Sequence, residues 1–114
     1  MHEVNFQTIN IIDINCMQYD KIYHIFIPKD GEEFVDLNDY KVEMYYELSN
    51  GESYKRECGI NNNMIKIKIS DRMTQNEGKV IVFLRFFNDE ISILRKVAIV
   101  NVNKSIDINN AKEE

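Results

Sequence analysis

Residues 64–69 read Met-Ile-Lys-Ile-Lys-Ile, and this stretch decides the fold class. Ile65, Ile67 and Ile69 alternate with Lys66 and Lys68, a period of two that sets the isoleucines on one face of a strand and the lysines on the other. The outward lysines also discourage edge-to-edge association. Just upstream, Asn61-Asn62-Asn63 predicts a turn, because asparagine tolerates the left-handed backbone region. Further upstream, Val42, Met44, Tyr46 and Leu48 alternate with Lys41, Glu43, Tyr45 and Glu47 and run into Asn50-Gly51. An Asn-Gly pair reaches positive φ at both centres of a type I′ turn, so this segment predicts a hairpin. Its second arm, Glu52 to Ile60, is more polar and reads as an edge strand.

Downstream of the isoleucines, Ser70 to Glu77 breaks the alternation and predicts one short helical turn capped by Ser70 or Asp71. Gly78 then leads into Lys79 to Phe87. There Val80, Val82, Leu84 and Phe86 share one face, and Ile81, Phe83, Arg85 and Phe87 share the other. A strand apolar on both faces is central in its sheet, or is covered by something outside its own core. Asn88-Asp89-Glu90 turns the chain into a last long strand, Ile91 to Val102. Nearer the start, Val4 to Ile14 and Lys21 to Ile27 read as strands, Asp30-Gly31 as a turn, and Val35-Asp36-Leu37 as a short extended link. The expectation is an all-β domain over residues 1–102, with residues 103–114 as a polar C-terminal tail or linker. Turn spacing predicts a two-sheet antiparallel β-sandwich of about seven strands, immunoglobulin-like in architecture. Val42, Met44, Ile65, Ile67, Ile69, Val80, Val82 and Leu84 are expected to face its core.

Composition agrees. The 114 residues suffice for one core, and the apolar fraction of 44% is that of an ordinary globular protein. Isoleucine, valine, phenylalanine and tyrosine dominate, while alanine occurs only at Ala98 and Ala111, which favours strands over helices. An ordinary immunoglobulin domain is disfavoured. Its Cys…Trp…Cys pattern is missing, since there is no tryptophan and Cys16 and Cys58 stand elsewhere. The formal charge of −5 argues against a nucleic-acid partner. The charge is uneven: residues 1–57 hold 12 acidic and 5 basic side chains, and residues 58–114 hold 7 and 9. No signal peptide and no apolar run of about 20 residues is present, so no membrane partner is expected. With neither a Cys-x-x-Cys spacing nor a secretory leader near Cys16 and Cys58, free thiols made in a reducing cytoplasm are expected.

The candidates for chemistry are few. His2 is terminal, and His24 sits among Tyr23, Ile25 and Phe26, where a packing or surface role outweighs a catalytic one. Cys16, Cys58 and the two histidines lack the paired spacing of a zinc site. Asp30, Glu32, Glu33, Asp36 and Asp39 form an acidic loop with the oxygen ligands that calcium prefers. Their spacing does not fit the helix-loop-helix calcium pattern, and a solvated turn is the favoured reading. No Gly-rich phosphate loop and no Gly-x-Ser-x-Gly elbow occurs. The sequence therefore assigns no catalytic residue, no cofactor and no metal. The second apolar face of the Lys79–Phe87 strand is the suggestive feature. Ile81, Phe83 and Phe87, with Arg85 and Tyr45, are the expected partner-binding stripe, against the alternative that another strand or the N-terminal segment covers them.

The order of these features resembles a known family. Asp20 opens a strand, Asp30-Gly31 turns it, and Val35-Asp36-Leu37 follows. Then come the alternating Tyr40–Leu48 strand, the Asn50-Gly51 hairpin, Met64–Ile69, a short break, Gly78–Phe87 and a closing strand. Over residues 4–102 this arrangement resembles the N-terminal domain of the phage baseplate upper protein family, found in phages of Gram-positive bacteria. The resemblance implies a virion-located β-sandwich, non-catalytic, that assembles with other tail and baseplate proteins or with its own copies. It also implies a role in carrying the host-recognition apparatus. Two other classes compete. A carbohydrate-binding sandwich would use Tyr19, Tyr23, Tyr40, Tyr45, Tyr46 or Tyr54, although the absent tryptophan weakens it. A small phage-encoded inhibitor of a host protein is the third.

Overall fold

A computed structural model describes all 114 residues. Its strands are β1 (His2–Asn5), β2 (Ile12–Met17), β3 (Ile22–Asp30), β4 (Glu33–Phe34), β5 (Lys41–Glu47), β6 (Ser53–Arg56), β7 (Gly59–Asn61), β8 (Met64–Ile69), β9 (Gly78–Phe87) and β10 (Ser92–Asn103). Single 3₁₀ turns lie at Leu37–Asp39 and Asp71–Met73. One sheet runs β1-β3-β8-β7 with β4 hydrogen-bonded to β3, and the other runs β2-β10-β9-β5-β6. Their inner faces share one apolar core of 21 buried residues, so the two sheets form a sandwich. Ile65, Ile67, Ile69, Met44, Val82 and Leu84 are fully buried in it, Val80 nearly so, and Val42 packs against its margin.

The sheets are mixed, which corrects the antiparallel expectation, and the strands number ten where turn spacing gives about seven. β1 lies parallel to β3, and β2 lies parallel to β10. Both parallel pairs come from the stretch Val4–Ile14, which reads as one strand and forms two in opposite sheets. Phe6 marks the crossing. Its N–H donates to the Lys29 carbonyl (2.8 Å), and its ring packs on Phe86 and Tyr40 with centroids 5.0 and 5.4 Å away. The Arg95 guanidinium then bonds the carbonyls of Asn5 (3.2 Å) and Phe6 and ties the crossing to β10. Beyond it Ile9 and Ile11 are exposed, so their apolar character imitates a strand that does not form. The arm Glu52–Ile60 divides likewise, β6 in one sheet and β7 in the other.

The turns also sort themselves by φ. At Ser49-Asn50-Gly51 only Gly51 is left-handed (φ 89°), and its N–H donates to the Leu48 carbonyl (2.9 Å). This is a three-residue loop, a type I turn closed by glycine, rather than the expected type I′ pair. The type I′ geometry falls instead at Asn62 and Asn63, both left-handed (φ 49° and 58°), between β7 and β8. The Asn63 side chain accepts from the Leu37 N–H (2.7 Å) and donates to the Val35 carbonyl (2.6 Å), which pins the Val35-Asp36-Leu37 link. That link carries a 3₁₀ turn capped by the Asp36 side chain rather than running extended. The other expected turn forms over Asp71–Met73 with Ser70 at its N-cap position, yet no side chain caps it. β10 ends at Asn103, and residues 104–114 add one turn near Asp107–Asn110.

Ile67 is paired opposite His24 and has no exposed surface. Ile67→Ala should cost about 2–5 kcal/mol through lost burial and the cavity left behind. Denaturant unfolding checks this, and a change within error of zero would contradict the burial of that face.

Candidate functional site

β9 is central in its sheet, flanked by β10 and β5 along its length, and the pleat turns its two faces apart. Val80, Val82, Leu84 and Phe86 point into the core, while Ile81, Phe83, Arg85 and Phe87 are half-buried on the outside. No strand and no part of the N-terminal segment pairs over this outer face. Register brings Tyr45 beside Phe83 and Glu43 beside Arg85 from β5, with Lys55 next to Tyr45 from β6. From β10 it brings Ile99 beside Ile81 and Leu94 beside Arg85. The five residues expected to form a stripe therefore share one surface. Tyr45, Phe83, Arg85 and Leu94 line a shallow depression of about 310 Å³.

The polar groups on this face form a network of their own. The Arg85 guanidinium bonds Glu43 Oε1 (3.0 Å) and Ser92 Oγ (3.1 Å), and it lies 4.0 Å from the centre of the Phe87 ring. Glu43 also accepts from the Tyr45 hydroxyl (2.8 Å) and pairs with Lys55 Nζ (3.1 Å). The Tyr45 hydrogen bond, followed by the Lys55 ammonium, holds the Glu43 carboxyl below the usual carboxylate range. The same pairing raises Lys55. Arg85 thus carries its counter-charge within the face. Covering the face would not strand a cation, although an exposed pair of this kind adds little stability by itself.

Glu43, Lys55, Leu94 and Ile99 belong to the face and were not among the expected residues. Glu43 and Lys55 share the outward parity of Tyr45 and were legible in principle. Leu94 and Ile99 were hidden by a bulge: Lys96 pairs with Phe83 and Ala98 with Val82, which leaves Val97 as an extra residue. Parity flips across it, so both Leu94 and Ile99 point outward. Leu94 is 53% exposed.

Elsewhere the titratable groups scatter. Cys16 is buried on β2, Cys58 contacts the Val42 carbonyl, and burial pushes both thiols up. In the acidic loop Asp30 accepts from Gln7 (3.0 Å) and Asp36 from the Asn38 N–H (2.9 Å), while Glu32, Glu33 and Asp39 are exposed to solvent. No three His, Cys, Asp or Glu side chains converge as metal ligands. No helix is long and apolar enough to cross a membrane. His2 and His24 do meet, with Nε2 3.1 Å from Nδ1, because β1 lies against β3. That parallel pairing carries no local sequence signal.

No protein-family profile matches the chain, and no curated protein sequence matches it. Among solved structures it is similar to the N-terminal domain of phage TP901-1 ORF48, at 12% identity and a TM-score of 0.60. The match covers 90% of this chain and 95% of that one. At this identity the likeness establishes a shared all-β fold.

Burial, then the neighbouring His2, lowers His24 below its ordinary value of 6.5. The unfolded chain therefore takes up that proton first as pH falls. The His24 contribution is intact above pH 6.5, declines as pH falls through it, and is fully lost below the folded value. Glu43 acts in a lower window, below its ordinary 4.5. Urea midpoints should accordingly drop from pH 7.5 to about 5.5, and the drop should shrink in His24→Gln. An equal drop in both proteins would contradict the assignment to His24.

Proposed function

We propose that this domain is a non-catalytic structural module of a phage tail baseplate, related to the N-terminal domain of the baseplate upper protein family. In this reading it assembles with other tail proteins, or with its own copies, and helps to carry the host-recognition apparatus in the virion. The carrying observation is the uncovered outer face of β9, where Ile81, Phe83 and Phe87 stand on the central strand with Tyr45 and Arg85 beside them. Apolar residues on both sides of a strand need two covers, and the chain supplies one. An apolar centre rimmed by the Glu43–Lys55–Arg85 charges has the composition of a protein–protein interface. The fold likeness to the phage TP901-1 ORF48 domain, nearly end to end in both chains, supports the family reading alongside the order of strands and turns.

Phe83→Asp tests the docking role. The side chain lies outside the core, so the variant should keep its melting temperature within a few degrees. It should also lose the self-association or tail-protein binding of the parent in light scattering. Unfolding of Phe83→Asp would place the ring in the domain's own core, and unchanged assembly would remove the face from the interface.

A further inference from the structure

Four residues other than glycine have left-handed backbones: Tyr19, Asn62, Asn63 and Asp71. The two asparagines are the type I′ turn between β7 and β8, where such geometry is cheap. Asp71 (φ 56°) is of a type that tolerates this region, whereas Tyr19 (φ 70°), the third residue of the Met17–Asp20 turn, is not, and both line the same cleft with Tyr46, Arg56, Arg72 and Gln75. A bulky residue keeps a left-handed backbone only where its surroundings impose it, and such strain gathers at ligand-binding sites. Here the Tyr19 N–H donates to the Thr74 carbonyl (3.0 Å), the buried Thr74 hydroxyl to the Asp20 carbonyl (3.1 Å), and the Gln18 amide to the Gln75 carbonyl (3.1 Å). These bonds lock the Met17–Asp20 turn to the segment after β8. The Tyr19 side chain stays 67% exposed, a wall of the cleft rather than part of the core.

Arg72, Asp71 and Gln75 keep free hydrogen-bonding capacity in the cleft, while Arg56 already donates to the Lys68 and Ser70 carbonyls. The chain has four arginines, and Arg72 alone makes no hydrogen bond or ion pair. Its guanidinium carbon lies 4.3 Å from the centre of the Tyr54 ring, and none of its N–H groups is bonded within the chain. Tyr54 stacks on Tyr46, with centroids 5.4 Å apart, and Arg56 lies over Tyr46, fixed by the Lys68 carbonyl (2.9 Å). The Asp71 carboxylate accepts only from Ser70 Oγ (3.2 Å), and the Gln75 side-chain amide has no partner. The depression holds about 480 Å³ and is broadly open to solvent.

We propose that this cleft binds a saccharide carrying a negative charge. An exposed aromatic ring suits the C–H face of a sugar, and a carboxylate and an amide suit its hydroxyls. Two guanidinium groups against one carboxylate favour an acidic substituent, in a chain whose overall charge is −5 and so offers no bulk attraction to anions. None of Tyr45, Ile81, Phe83, Arg85 or Phe87 lines the cleft, so the site does not depend on the docking face.

The test is an amide-resolved NMR titration of the full chain with trigalacturonate, with neutral cellotriose and inorganic phosphate in parallel. Saturable shifts centred on Tyr19, Asp71, Arg72 and Gln75 are expected, with cellotriose weaker by about tenfold. Tyr19→Asn, whose new residue tolerates the left-handed backbone, should melt a few degrees higher while binding trigalacturonate about tenfold more weakly. Arg72→Gln should weaken binding without moving the melt. The proposal is overturned by absent saturation with trigalacturonate, or by phosphate reproducing its shifts and affinity. It is equally overturned by a Tyr19→Asn variant that melts lower than the parent or binds as well.

Discussion

Ten residues of β9 lie between two long neighbours, and the pleat assigns each of its side chains to one of two surfaces. That alternation governs the second sheet. It sends Val80, Val82, Leu84 and Phe86 into the core against Met44, Tyr46 and Val100. It also forces Ile81, Phe83 and Phe87 outward, because a strand cannot bury consecutive residues on one side. The core and the uncovered face are therefore two results of one constraint. Substitutions on either side act through different terms, cavity and transfer within, interface desolvation without.

The neighbouring strands adapt to that register. β5 presents Glu43 and Tyr45 at the positions where Arg85 and Phe83 emerge, so the charge that β9 must carry outward meets its partner across the ladder. β10 cannot match β9 over its full length with a single parity, since both Arg95 and Ala98 must point inward. The extra residue at Val97 resolves this conflict. Arg95 then reaches the carbonyls at the N-terminal crossing, and Ala98, Val100 and Val102 continue the core.

Local periodicity made much of this legible. The inward sets on β5, β8 and β9, the Asn62-Asn63 turn and the shared outward face of Phe83, Arg85 and Phe87 follow from alternation and turn chemistry, whereas Tyr45 joins that face only through the β5–β9 pairing. What escaped were events without a local signature. Val4 and Ile14 look like one strand because nothing between them is a strong breaker, yet a bond from Phe6 to Lys29 and the Arg95 clasp divide them between sheets. Asn50-Gly51 has the composition of a type I′ turn, but a third loop residue, Ser49, changes the geometry. The cleft beside Tyr19 depends on long-range bonds to Thr74 and Gln75, so no pattern in residues 17–20 announces it.

The parallel pairing of β2 with β10 joins one of the earliest segments of the chain to the last strand, with Cys16 opposite Val102. During synthesis residues 12–17 leave the ribosome long before their neighbour exists. Ile12, Ile14 and Cys16 must wait, unpaired and apolar, while the β3–β9 region can already collapse behind them. Contacts of such high sequence separation raise the contact order and place the closing of this edge late in folding. Until that closure the half-built sandwich exposes a strand edge beside an open core, the state in which a newborn chain is most prone to engage a chaperone or a second copy of itself.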